Sequence, residues 1–246
     1  MADNKSDATY VLGRSEAEER RLERKSQFQY PFTRGFFEDT GLSSGMNVLD
    51  IGSGAGDVSL LAADIVGQDA RVTGVDMNAE ILYTARERAR ASGHQNVNFV
   101  AGDIRELSFD EQFDAVIGRL VLIYLKDAGA VLRHAVSFLR PGGLVAFQEI
   151  DFSSLLTLRT VPLSPLGDRA VRWVYQAFQQ AGAEVDMGFK IPGVFREAGL
   201  PDPQIYGQVL MGAGPNWNGY EYLATTIRSL MPYIEKFAIA TPEEVG

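Results

Sequence analysis

Directly after the apolar run Met46–Leu49 the chain reads Asp50-Ile51-Gly52-Ser53-Gly54-Ala55-Gly56, an acid and then three glycines on alternate positions. Glycines so spaced let a strand end turn sharply and bring bare backbone against a ligand, and the amides of the following helix then face that ligand too. Dinucleotide-binding folds place a glycine turn at the same point, with the spacing G-x-G-x-x-G. Here Gly56 arrives one residue early, and Asp57 stands where that fingerprint takes glycine or alanine. A carboxylate there opposes a pyrophosphate and suits a ligand with positive charge and no phosphate.

Around this turn the pattern alternates. Strands are expected at Val48–Ile51, Arg71–Asp76, Asn96–Gly102 and Phe113–Gly118. Helices are expected at Asp57–Val66, Ala79–Ser92 and Asp127–Leu139, with a short one around Ile104–Leu107. Pro141-Gly142-Gly143 reads as a tight turn into a fifth strand, Leu144–Ile150. Strands joined by single helices require right-handed crossovers and a parallel sheet, with the ligand crevice at the strands' C-terminal ends. Asp50, Asp76 and Asp103 all fall at such ends. The expected architecture is therefore α/β, a Rossmann-like, doubly wound, mostly parallel sheet flanked by helices.

The flanks are mostly helical. Ser15 caps a predicted N-terminal helix, and an aromatic stretch follows with Phe28, Tyr30, Phe32, Phe36 and Phe37. After Asp151, helices are predicted at Leu166–Gln180, Ile191–Ala198 and Asn218–Ala238, the last kinked at Pro232, and a sixth strand at Gln204–Met211. The chain is thus expected to be one domain over 1–246: an N-terminal helical cap (1–40), a ligand-binding core (45–150), a helical insertion on the acceptor side (152–200), then the sixth strand and C-terminal helix (201–246). Thr241-Pro242-Glu243-Glu244 is a strong helix start near the last residue, Gly246, with nothing after it to start.

Composition narrows the function. With no cysteine, disulfides and thiolate metal sites are excluded, and His94 and His134 stand alone, so no metal site is expected. A formal net charge of −9 opposes nucleic acid as partner. No stretch approaches the roughly 20 apolar residues of a membrane span, and the polar start Met1–Asp7 is no signal peptide. The expectation is a cytoplasmic monomer or homodimer that acts on a small molecule without membrane attachment.

Five elements in order now carry a resemblance: Leu49–Gly56, Gly74-Val75-Asp76-Met77, Gly102-Asp103-Ile104, Phe113–Arg119 and Leu139-Arg140-Pro141-Gly142-Gly143. Over roughly 45–150 the chain resembles the class I S-adenosylmethionine (SAM)-dependent methyltransferases, in particular the small-molecule group that includes the ubiquinone/menaquinone C-methyltransferases. The resemblance implies SAM as cofactor and S-adenosylhomocysteine (SAH) as product. It implies that Gly52, Ser53, Gly54 and Gly56 form the loop around the methionine part and ribose, and that Asp50 accepts from the ammonium. It further implies Asp76 on the ribose hydroxyls, Met77 on adenine, Asp103 on the adenine amino group with Ile104 as N–H and wall, and Gly118 and Arg119 at the methionine end. The family fold also expects a seventh, antiparallel strand. None is found after the sixth, which suggests a truncated chain or a strand supplied by a partner.

The reaction so implied is in-line transfer of the methyl group to carbon, oxygen or nitrogen of a small acceptor in a partly closed aromatic pocket. Tyr30, Trp173, Phe178 and Trp217 are candidate walls, although the core reading is the more ordinary one for such aromatics. Gln148, Glu149 and Asp151 close the fifth strand, and Glu149 or Asp151 is the candidate for acceptor contact. Arg119 orients an anionic acceptor or pairs with Asp114 or Glu149. Alternatives are a SAM-binding protein that transfers no methyl group, or an NAD-type oxidoreductase on a similar frame.

Overall fold

The structure is a computed structural model and describes residues 29–157 and 160–245. The helix expected from Ser15, and Phe28, lie outside the described residues. The chain is a parallel α/β sheet of five strands in the order β3-β2-β1-β4-β5, flanked by helices. The strands are β1 (Val48–Ile51), β2 (Val72–Asp76), β3 (Val97–Ala101), β4 (Phe113–Arg119) and β5 (Leu139–Gln148). Helix α1 spans 29–39. It is followed by α2 (Asp57–Val66), α3 (Ala79–Ala91), α4 (Ala128–Val136), α5 (Phe152–Leu155), α6 (Pro165–Gln180), α7 (Met187–Glu197), α8 (Asn218–Lys236) and α9 (Pro242–Val245).

Strand β1 shows how the sequence divides between the two faces. Val48 joins Phe37 of α1 and Leu61 and Ala62 of α2 in one cluster, while Leu49 and Ile51 join α4, α6, α7 and α8 in the other. All four β1 residues are buried, as befits a central strand of a parallel sheet. The same alternation sends the Asp50 side chain toward α2, where it meets Ser59.

Three expectations are corrected. The Pro141-Gly142-Gly143 turn is absorbed into β5 as an irregularity: Phe113 pairs with Leu139 and Ala115 with Leu144, and the strand ends at Gln148 instead of Ile150. Residues 104–106 form a turn, not a helix. The predicted sixth strand is absent as well. Residues 201–213 have no regular secondary structure, and Ile205, Tyr206, Val209 and Met211 are 52% to 86% exposed. Alternating apolar residues form a strand only where they pair with a sheet edge, and among the described residues this segment does not pair with the edge strand β5. The helix start at Thr241 does form: Thr241 N–H donates to Glu244 Oε2 (2.9 Å) and Glu244 N–H to Thr241 Oγ1 (3.3 Å), a reciprocal capping box on one turn. Among the described residues no helix is long and apolar enough to cross a membrane.

Candidate active site

The C-terminal ends of β1, β2 and β4 converge on the glycine turn. Gly52, Gly54 and Gly56 all have positive φ (69°, 52° and 85°), a region that side chains enter only with strain. Their surroundings differ. A Cβ on Gly52 would lie 2.4 Å from Val121 Cγ2, and one on Gly56 3.0 Å from Phe99 Cζ, whereas Gly54 faces open space. Gly52 and Gly56 are thus demanded by packing, and Gly54 is the one of the three where a Cβ would enter open space. Gly118 is also a packing glycine, because a Cβ there would meet the Phe147 ring at 2.7 Å.

Asp76 ties the turn to the second strand. Its Oδ2 accepts from the Gly54 amide (2.9 Å) and its Oδ1 from the Asn78 amide (2.8 Å). An ionised carboxylate offers about four acceptor positions, so two remain. Met77, the next residue, is 62% exposed among the described residues. Asp103 sits at the end of β3, but its carboxylate takes the Arg105 guanidinium and amide, all at 2.9 Å or less, which holds its pKa below the usual range. Ile104 turns its side chain into the core.

Three acids at the site, Asp50, Glu149 and Asp151, carry a buried oxygen with no hydrogen-bond partner among the described residues, Asp151 through Oδ2. Asp50 accepts from the Ser59 hydroxyl at 2.6 Å through Oδ2, while Oδ1 has none. Burial raises its pKa to about 7, against the Ser59 hydrogen bond and the nearby Arg119 charge, both of which lower it. Glu149 accepts from the Val121 and Leu122 amides (3.0 and 2.9 Å) through Oε1, and its Oε2 is without a partner. Burial raises this carboxyl to about 7 as well, although the backbone amides oppose it. Because Val121 also packs on Gly52, the Glu149 carboxyl is fixed next to the turn. Ser53 Oγ on the turn is likewise buried and unpartnered.

Asp57, read from the sequence as a carboxylate facing the ligand, is instead held by two arginines. Arg88 pairs with it at 2.7 Å and Arg119 at 3.4 Å. Arg119 therefore pairs neither with Asp114, which holds Arg140, nor with Glu149. Its other amino group donates to Thr33 Oγ1 at 3.2 Å, and the Thr33 hydroxyl donates to Gln148 Oε1 at 2.8 Å. Asp151 caps α5, accepting from Ser153 Oγ and the Ser154 amide. Trp173 and Phe178 belong to the core, Phe178 stacked on Phe152 at 4.2 Å. Tyr30 donates to Asp64 on α2 (3.3 Å), and Trp217 packs edge-on against Tyr220. His94 pairs with Asp64, and His134 contacts the Leu107 carbonyl.

Sequence reasoning missed Ser59, Arg88 and Thr33. Ser59 was legible in principle, as the one hydroxyl on the first turn of a helix that follows a buried strand-end acid. Thr33 was the polar residue inside an aromatic stretch. Arg88, on α3, had no local signal.

A parallel sheet with a glycine turn after β1 and an acid ending β2 is the site plan of the class I SAM-dependent methyltransferases. Residues 42–192 match the model of the methyltransferase domain family, and the chain belongs to that family. An arsenite methyltransferase of Halobacterium salinarum is 39% identical over 110 residues, 44% of this chain and 28% of that protein. A ubiquinone/menaquinone biosynthesis C-methyltransferase of Shewanella woodyi is 36% identical over 116 residues, 46% of each. The chain spans less than half the length of these curated relatives. The crystal structure of a SAM-dependent methyltransferase from Aquifex aeolicus superposes with a TM-score of 0.57 over 76% of this chain and 89% of that one. At 18% identity the likeness is one of fold.

The residues fit SAM. The ligand would be cationic, and the site offers buried acceptors: Asp50 Oδ1, Ser53 Oγ and the free positions of Asp76. The two arginines at the turn share the Asp57 carboxylate, and Arg88 also donates to the Ala55 carbonyl, so both guanidinium groups are tied to protein acceptors.

Proposed function

We propose that this chain, acting as a single domain, binds SAM at the ends of β1, β2 and β4 and methylates a small organic acceptor, releasing SAH. The observation that carries this reading is the pair of unpartnered, buried carboxylate oxygens, Asp50 Oδ1 and Glu149 Oε2, on either side of the Gly52–Val121 contact. One suits a cation at the methionine end, and the other suits a proton. When bound, the cofactor supplies a methyl group already activated on a sulfonium. The protein's part is to hold, orient and exclude water.

Asp50 receives the ammonium, with Ser53 and the Gly54 face beside it. Asp76 takes the ribose hydroxyls through its two remaining acceptor positions, and Met77 lies on the adenine ring. Asp103 and the Ile104 amide bound the adenine edge, with Asp103 sharing its carboxylate with Arg105. The Gly118 backbone and Arg119 border the methionine end. Glu149 is the general base: a carboxyl poised near pH 7 abstracts a proton from a phenol or acidic carbon while remaining partly ionised at rest. Asp151 caps α5 through Oδ1 and keeps Oδ2 buried without a hydrogen-bond partner among the described residues, which makes it the second candidate for acceptor contact.

The relatives' names span arsenite and quinone-precursor acceptors, and the residues here favour the organic one. Trivalent arsenic is a soft acceptor best held by thiolates, and none of the 246 residues is cysteine. A screen with methyl-labelled SAM against phenols, quinols, indoles and arsenite tests the reading. Label transferred to an organic acceptor supports it. Label on arsenite alone, or on none of the panel, counts against it.

A further inference from the structure

We infer that Arg119 is a positioning residue which couples occupancy of the glycine turn to the closure of helix α1 over the acceptor side. This inference rests on the SAM reading above. Arg119 ends β4, its side chain is 10% exposed, and its guanidinium forks between two elements. One amino group reaches Asp57, the first residue of the helix after the turn. The other reaches Thr33 in the middle of α1. Thr33 is fully buried and passes a hydrogen bond to Gln148 at the end of β5. Helix α1 is therefore fastened to the C-terminal ends of β4 and β5 through one hydroxyl. Its other polar ties lie to the sides, Tyr30 on Asp64 of α2 and Gln29 Nε2 on the Tyr222 hydroxyl of α8 (3.5 Å).

The anchor of the fork explains why it responds to ligand. Asp57 opens α2 directly after the glycine turn, so the Arg119 guanidinium ties the turn to α1. A ligand that orders the turn fixes Asp57, and through Arg119 the Thr33 link to α1 tightens. Because binding free energies are reciprocal, loosening the Thr33 link must weaken ligand binding by the same factor by which the ligand tightens α1. A planar fork performs this bridging, and a lysine point charge does not.

Hydrogen exchange of residues 29–39 in the full chain, with SAH as probe, tests the coupling. The quantity read is the ratio of exchange rates without and with saturating SAH, which a merely structural loss of α1 stability leaves unchanged. In the wild type the ratio should be roughly five- to 150-fold, the usual range of coupling between sites. Thr33→Val should bring it close to one and weaken SAH binding by a similar factor, Arg119→Lys should behave likewise, and Thr33→Ser should restore both. Bound SAH with unchanged α1 exchange in the wild type, or a full ratio retained in Thr33→Val, overturns the coupling. Failure of SAH to bind the wild type at all overturns the cofactor reading, and the coupling falls with it.

Discussion

The Gly54 amide donates to Asp76 Oδ2 at 2.9 Å, so the open glycine of the turn after β1 is pinned by the acid that ends β2. A single carboxylate thereby shapes the loop and, through its remaining acceptor positions, faces whatever the loop holds.

Asp76→Ala removes both tasks. SAM affinity should fall by about 1.5–3 kcal/mol, the range for hydrogen bonds to charged groups, which is roughly ten- to a hundredfold in Kd. Asp76→Asn keeps the shape and one oxygen and should fall between. Calorimetric titration measures both, and an unchanged Kd in Asp76→Ala would show that the ribose assignment is wrong.

Gly52 and Gly54 should separate under the same substitution. Gly52→Ala forces a methyl to within 2.4 Å of Val121 in a left-handed backbone, so both overpacking and strain apply, and stability should drop by about 2–4 kcal/mol. Gly54→Ala meets open space in the protein and should lose only the roughly 1–2 kcal/mol of strain. Its methyl points to the ligand side, so it should lose SAM binding while still folded. Urea midpoints and titrations on the two variants decide the matter.

Asp50 and Glu149 set opposing pH dependences. Both carboxyls are raised to about 7 by burial. Between the unfolded value near 4 and the folded value near 7, the native state binds more protons than the unfolded one, so these two groups make stability fall as pH rises through that window. The urea midpoint should therefore be lower at pH 8 than at pH 5.5, and Glu149→Gln should flatten the difference. SAM affinity should move the other way, tightening from pH 5.5 to 7.5 as Asp50 ionises, and Asp50→Asn should abolish that trend.

Glu149→Gln should cut kcat by about 10²–10⁴-fold for an acceptor that must lose a proton. The KM for SAM should barely change, because the cofactor is held elsewhere. In the wild type kcat should fall below about pH 7 as Glu149 protonates, and that limb should vanish in the variant. A loss of SAM affinity equal to the loss of kcat would make Glu149 a structural residue of the Val121–Leu122 turn.

The parallel core was legible because its signals are local. Val48–Ile51 and Asp57–Val66 fall where expected, since a buried strand, a glycine turn and a helix announce themselves within twenty residues. Gln204–Met211 reads as a strand but is not one, because alternation says nothing about whether a segment docks on an edge: β5 is an edge strand, and 201–213 does not pair with it. The exposed Ile205 and Val209 should tolerate serine within about 0.5 kcal/mol, which a paired strand would not. At the site, the acids were visible in the sequence and their partners were not. Asp57 looked like a free carboxylate because Arg88 is 31 residues away in sequence and on another helix, and the role of Thr33 depends on how α1 folds back over β4 and β5. Sequence spacing places groups at strand ends but does not say which of them neutralise one another.

The most direct test of the central claim is a calorimetric titration of the full chain with SAM, SAH and NAD in parallel. The account predicts saturable binding of SAM and SAH and none of NAD, because the buried carboxylate oxygens at the turn suit an ammonium and oppose a pyrophosphate. Binding of NAD, or no binding of either SAM or SAH, would contradict it.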